Sequence, residues 1–329
     1  MSARLTLAVA SGVAPSEAGQ SVLVLGANAD VDLSAFEPAN VTVVQDMMPD
    51  AKMLAQHGVN VVQSLPEGPF DATFVCLPRS KEAARGRIQA AMAVTSGLVF
   101  VDGQKTDGVE SFLKDMRKRT DVLGSLSKSH GKLFWCEACP DFSDWKEVPN
   151  VVEDRWHTVP GVFSANSVDP GSALLTQHVP ENMSGKIADL GAGWGYVSGR
   201  LLERCPKIST LHLVEAQASA LSCARNNVTD PRASFHWDDA TVWAGAKALD
   251  AVVMNPPFHA GRAAEPELGR AFITSAARLL RPGGKLWMVA NRHLPYEQTL
   301  REHFVDVAEI AGDSRFKVLH AKAKSRAKR

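Results

Sequence analysis

The chain has 329 residues, 45% of them apolar and 22% charged, with 36 basic and 36 acidic side chains. That balance is ordinary for a globular chain, the length suggests two domains, and zero net charge excludes binding to nucleic acid by bulk charge alone. No window reaches the roughly 18 consecutive apolar residues of a bilayer span, so no membrane partner is expected.

At the N-terminus, "MSARLTLAVASGVAP" is too weakly apolar for a secretory leader and reads as the first element of the fold. Three stretches of the first half then behave as strands with polar ends: "SVLVLGANADVD", "FDATFVCLPRS" and "SGLVFVDG". "MRKRT", near residues 116–120, offers a small basic patch. Five cysteines, an odd and sparse set, argue against a disulfide framework. The pair Cys136 and Cys139 has C-x-x-C spacing. It lacks both the early strand of a redox fold and a second ligand pair for zinc, so structural thiols and no metal are expected. "CPDFSDWKEVPN", residues 139–150, has no periodicity and reads as a linker.

From residue 184 the alternation is plain. "KIADLGAG", "LHLVEA", "SFHWDDA", "LDAVVMN" and "KLWMVAN" are strand-like. "WGYVSGRLLERC", "QASALSCARNNV" and "EPELGRAFITSAARLL" have helical spacing. Strands alternating with helices imply a parallel sheet covered on both faces. The first half has the same rhythm. Its three strands lie over "KIADLGAGWGYV", "LDAVVMNPPFH" and "GGKLWMVA", so the chain is an α/β fold written twice, two tandem Rossmann-like domains. The polar groups are lost from the first copy. Val24, Gly26, Asn28 and Asp30 stand over Asp189, Gly191, Gly193 and Gly195, Cys76 over Asn255, and Arg79 over Phe258. The expected division is a degenerate scaffold or recognition domain, 1–145, and a catalytic domain, 146–329.

"DLGAGWG" follows a strand and opens a helix, so Gly191, Ala192 and Gly193 can bring bare backbone to a ligand at the carboxyl edge of the sheet. Acids end three successive strands: Asp189, then Glu215, then Asp238 and Asp239. Glu215 is placed to accept ribose hydroxyls, and either Asp238 or Asp239 to accept from an adenine amine. No Lys-Ser or Lys-Thr follows the glycines, which excludes a phosphate-cradling loop. An acid-lined pocket suits a cationic cofactor without phosphates, S-adenosylmethionine.

"NPPF" ends a strand on the same edge. Its prolines stiffen the loop and leave carbonyls without competing donors. An exocyclic ring amine is a poor nucleophile because its lone pair is delocalised. The Asn255 side-chain oxygen and the Pro256 carbonyl can accept both amine protons and aim the lone pair at a methyl group. Phe258 offers a flat face for a base turned out of its helix. His259 reads equally as a pocket or a structural residue.

These motifs resemble class I S-adenosylmethionine-dependent methyltransferases acting on amino nitrogens. The whole chain is similar to the bacterial ribosomal RNA guanine-N2 methyltransferases of the small-subunit type. The residues carrying that likeness are "LDAVVMNPPFHAG", "GGKLWMVANRHLPYE", "SRFKVLHA" and "TVPGVFSANSVDPGSALL". The resemblance implies cofactor contacts at Asp189, Gly191, Gly193, Glu215 and Asp239, and target contacts at Asn255, Pro256 and Phe258. It also implies that residues 160–164 fold over the cofactor. It implies 16S rRNA as partner, within the small ribosomal subunit, and a cytoplasmic monomer. The residues alone do not separate 16S from 23S rRNA. DNA adenine-N6 and protein glutamine methyltransferases would use the same loop, more often with Tyr in place of Phe258. A non-catalytic assembly factor and a nicotinamide oxidoreductase are the readings from other classes. The last fifteen residues, with seven Lys or Arg and no acid, read as a basic tail suited to a phosphate-rich partner.

Overall fold

The computed structural model describes residues 2–14, 19–257, 259–260, 263–264 and 266–324. The chain divides into two compact units, Met1–Pro149 and Asn150–Arg329.

The first unit begins with helix α1 (Ser2–Ala10). Strands β1 (Val22–Leu25), β2 (Val41–Val44), β3 (Asn60–Val62), β4 (Phe70–Cys76), β5 (Thr95–Gln104), β6 (Val122–Lys128) and β7 (Gly131–Glu137) follow, interleaved with α2 (Met48–Ala55), α3 (Lys81–Val94) and α4 (Val109–Met116). The sheet runs β3-β2-β1-β4-β5-β7-β6. It is parallel except for β7, which is antiparallel to both of its neighbours.

The second unit opens with the hairpin β8 (Asn150–Val152) and β9 (Trp156–Thr158), then α5 (Pro170–His178). The main strands are β10 (Ser184–Leu190), β11 (Lys207–Glu215), β12 (Ala233–Trp237) and β13 (Leu249–Met254). A two-residue ribbon follows, β14 (His259–Ala260) with β15 (Ala263–Ala264), then β16 (Leu280–Asn291), β17 (Phe304–Gly312) and β18 (Phe316–Ala323). Helices α6 (Tyr196–Arg204), α7 (Ala218–Asn227), α8 (Pro266–Leu279) and α9 (Tyr296–His303) cover the faces. The order is β12-β11-β10-β13-β16-β18-β17, strand for strand the order of the first unit. Both sheets reverse direction of growth between the first and fourth strands, the crevice where open α/β sheets bind ligands.

The registers make the duplication quantitative. Val24 pairs with Phe74 and Phe74 with Phe100. In the second unit Asp189 pairs with Val253 and Val253 with Trp287. These are the partners required if all three first-half stretches align with their second-half counterparts as the sequence suggests. The copies diverge after their first strand. In the second unit β10 leads through the glycine turn into α6. In the first, residues 26–40 hold only a short 3-10 turn, Pro38–Asn40. Val31 and Leu33 are buried while Asp32 and Ser34 are exposed, an alternation that cannot form one apolar helix stripe.

Three readings need correction. Residues 139–149 are no free linker, because Phe142 and Trp145 are buried in the first unit's core and pack edge to face, with ring centroids 5.0 Å apart. "MRKRT" is partly offset by acids: the exposed Lys118 pairs with Asp115, and Arg119 pairs with Asp144 and lies over the Trp145 ring, while Arg117 stays exposed. The basic C-terminal segment is mostly strand β18. Its Lys317 is buried and donates to the Leu294 carbonyl at 2.8 Å and to Glu297, while residues 325–329 lie outside the described residues. Cys136 is buried, which pushes its thiol up to about 12, as a structural thiol requires.

Candidate functional site

The site lies at the carboxyl ends of β10, β11, β12 and β13, and the glycine turn forms its floor. Gly191 and Ala192 both donate backbone N–H to the Val214 carbonyl, at 2.9 and 3.1 Å, which folds residues 191–195 back over the sheet edge. Two glycines have separate reasons. Gly193 has φ +56, and a Cβ there would meet nothing within 4 Å, so this is the open face of the turn, where a ligand can reach backbone. Gly195 has φ +90, and its Cβ would fall 3.0 to 3.2 Å from Val228 and Ala224, so it lets α6 pack close to α7.

The acids anchor this turn differently. Asp189 is 1% exposed, and its Oδ2 accepts from Ser198 Oγ at 2.7 Å. Burial raises its carboxyl to about 7; the Ser198 bond opposes the rise and the nearby Glu215 charge adds to it. Glu215 accepts the Gly193 N–H at 2.8 Å and the Gln217 N–H at 2.7 Å, so its carboxylate is tied to the rim of the turn. Asp239 Oδ1 accepts both the N–H and the hydroxyl of Thr241, capping the turn after β12. Asp238 directly follows the strand, and its Oδ1 accepts the Asp239 N–H at 2.8 Å.

A cavity runs from this turn to the end of β13. Asp189, Gly191, Ala192 and Gly193 line it on one side, and Asn255, Asp169 and Ser172 on the other. Asn255 follows Met254 directly, and Pro256 is buried while Pro257 is exposed. Phe258 lies outside the described residues, as does the side chain of His259. The Asn255 amide is oriented by two bonds: Nδ2 donates to Asp169 Oδ2 at 2.9 Å and to Ser172 Oγ at 2.8 Å. Its Oδ1 is buried and has no hydrogen-bond partner among the described residues. A buried amide oxygen without a donor costs about 1–3 kcal/mol, so a ligand N–H in this cavity would relieve a standing penalty.

The segment 160–164 borders the same cavity. Trp194 Nε1 donates to the Phe163 carbonyl at 2.9 Å, and Ser164, at φ +51, is held in the left-handed region by its own hydroxyl bonding the Ser167 carbonyl. Phe163 is 58% exposed at the mouth. Behind it Trp156, Trp194 and Tyr196 meet pairwise at 5.6 to 5.8 Å. Asn227 donates to the carbonyls of both His157 and Trp194 at 2.8 Å, locking the opening hairpin to the turn.

The structure thus brings Asp189, Gly191, Ala192, Gly193, Glu215, Asn255 and Pro256 to one edge, with Asp238 and Asp239 ending the next strand. Sequence reasoning missed Asp169, Ser172, Ser198, Trp194 and Asn227. Asp169 carried a local signal: Asp-Pro-Gly-Ser has the Asp and Pro of a helix start, and Asp169 caps α5 by accepting the Ser172 N–H at 2.7 Å. Nothing local shows that the same carboxylate also reaches Asn255.

The profile of the methyltransferase small domain matches residues 153–320. The chain is 32% identical to the ribosomal RNA small subunit methyltransferase C of Hahella chejuensis, over 68% of each chain. It is 31% identical to the enzyme of the same name from Erwinia tasmaniensis, over 76% of this chain and 75% of that one. The solved 16S rRNA N2 G1207 methyltransferase of T. thermophilus, in complex with AdoMet and guanosine, superposes with a TM-score of 0.78. That match covers 94% of this chain and 89% of that one at 22% identity, a likeness of fold.

Proposed function

The chain belongs to the methyltransferase small-domain family, within it to the ribosomal RNA small subunit methyltransferases C, and from that premise we propose how its residues methylate rRNA. It is an S-adenosylmethionine-dependent enzyme that methylates the exocyclic N2 of a guanine in 16S rRNA. The observation that carries the mechanism is the buried Asn255 Oδ1 at the end of β13, which has no hydrogen-bond partner among the described residues.

The residues fit the cofactor. The turn is open at Gly193, acids surround it, and no basic side chain among the described residues lines the cavity for a phosphate. Bound there, S-adenosylmethionine supplies an electrophilic methyl group on a sulfonium. Asp189, Gly191, Ala192 and Gly193 would form the cradle, and the Glu215 carboxylate would accept the ribose hydroxyls. Asp238 or Asp239, each with Oδ1 accepting a local donor, would take the adenine amine.

At the target, Asn255 Oδ1 and the Pro256 carbonyl accept the two N–H bonds of the guanine amine. This turns the nitrogen lone pair toward the methyl group. As the C–N bond forms, the methyl–sulfur bond would break, leaving a neutral thioether. The nitrogen becomes positive and both acceptors bind it more tightly, so they favour the transition state over the ground state, and one N–H proton is then released to solvent. Water is excluded by the 160–164 segment and, on the sequence reading, by Phe258 stacked on the base.

The finer reading takes the assembled small subunit as substrate, a cytoplasmic monomer as the working form, and the first unit, 1–149, as the degenerate module that recognises RNA. The test is transfer of labelled methyl to small subunits, to naked 16S rRNA and to large subunits. Label in small subunits alone supports it, and equal label in naked RNA removes the subunit requirement.

A further inference from the structure

Asn255 can serve as an acceptor only if its amide is held oxygen-inward. An isolated buried amide has two orientations, related by exchange of its oxygen and nitrogen. Here both hydrogens of Nδ2 are used, one on the Asp169 carboxylate at 2.9 Å and one on the Ser172 hydroxyl at 2.8 Å. Exchange would press Oδ1 against a carboxylate oxygen. Both partners sit at the start of α5, 86 and 83 residues before Asn255, and the Asp169 cap ties their backbones together.

We propose that Asp169 and Ser172 are positioning residues for methyl transfer, orienting the Asn255 amide and, through the Asp169 charge, strengthening Oδ1 as an acceptor. This rests on the reading of Asn255 as the acceptor for the target amine. A negative charge on one N–H of an amide draws the nitrogen lone pair into the carbonyl and leaves more charge on oxygen, so the two bonds reinforce each other. The gain is largest when the accepting oxygen faces a developing cation. Asp169 therefore acts on kcat more than on KM.

The test uses the full chain with small ribosomal subunits and labelled S-adenosylmethionine. Asp169→Asn keeps a good helix cap but removes the charge, so the melting temperature should hold. It should lower kcat by roughly ten- to a hundredfold, the worth of one charge-assisted bond, with KM for the subunits and cofactor affinity nearly unchanged. Ser172→Ala keeps the cap and the charge and should show a smaller loss of the same kind. It also keeps the question open to test if Asp169→Asn does not fold. In single-turnover measurements on Asn255→Ala, adding Asp169→Asn should cause no further loss, because the carboxylate acts through that amide. Wild-type kcat in both Asp169→Asn and Ser172→Ala, or a full additional loss on the Asn255→Ala background, would overturn the inference and leave Asn255 in its role. Wild-type transfer by Asn255→Ala would instead remove the reading on which it rests.

Discussion

At the scale of single residues, Asn255 and Asp189 carry the proposed chemistry. Asn255 holds the buried acceptor, but its backbone and both N–H bonds belong to the scaffold. Asn255→Ala is expected to lower methyl transfer by at least about a hundredfold, as loss of one preorganised partner does elsewhere, with cofactor binding retained. Parallel loss of cofactor affinity in calorimetry would make it a residue of the pocket's fold. Asp189 adds a pH dependence. Its carboxyl is raised to about 7, so the cofactor-free fold favours the neutral form. The stability it contributes is present below the ordinary carboxylate range and declines as pH rises from about 4 toward 7. A cationic cofactor favours the ionised form. Cofactor affinity should therefore rise between pH 6 and 8, by up to about tenfold if only the ionised form binds well. Asp189→Asn should flatten that dependence and melt above the wild type at pH 8 without cofactor. An unchanged pH profile in the variant would assign the dependence to another group.

At the scale of elements, the same frame is built twice and used differently. Gln45 follows β2 as Glu215 ends β11. Its Oε1 accepts the Met47 N–H at 2.7 Å, as Glu215 Oε1 accepts the Gln217 N–H at 2.7 Å. The local turn survives, but the carboxylate does not. Over Gly26, the counterpart of Gly191, lies the Arg87 guanidinium, which donates to the Cys76 carbonyl at 2.6 Å and fills the place a Cβ would take. Nearby, Arg4 from α1 forms a two-bond ion pair with Asp102 of β5, at 2.5 and 2.8 Å and almost fully buried. Asp102→Ala strands that guanidinium and should cost about 3–5 kcal/mol, read as earlier unfolding of the first unit in urea. Loss under about 1 kcal/mol would mean that water reaches Arg4. The strands, their registers and the glycine turn were legible because apolar alternation and Gly or Asn at strand ends are local signals. Asp169 and Ser172 were not, since their partner lies 86 and 83 residues away. Of the C-terminal lysines, Lys317 misled, because a charge count cannot show that it is buried on Glu297, whereas Lys322 and Lys324 are exposed.

At the scale of the whole molecule, each unit carries its own core. One pair of apolar clusters lies wholly within residues 1–149, around Phe74, Phe100 and Val75, Phe134. Three others lie within 150–329, around Leu286, Ile187 and Trp156. A unit with its own core can in principle fold alone, and every residue of the candidate site belongs to the second. The isolated segment 150–329 should therefore bind S-adenosylmethionine like the full chain while methylating rRNA poorly. Full activity without residues 1–149 would refute a recognition role for the first unit.

The central claim is that the Asn255 edge methylates a guanine amine of 16S rRNA. Its most direct measurement is transfer of labelled methyl to small subunits, large subunits, naked rRNA and DNA, with nucleoside analysis of the product and the Asn255→Ala variant as control. N2-methylguanosine should form in 16S rRNA with the wild-type chain and fall at least about a hundredfold with the variant. Label in 23S rRNA, DNA or protein, or undiminished N2-methylguanosine from Asn255→Ala, would contradict it.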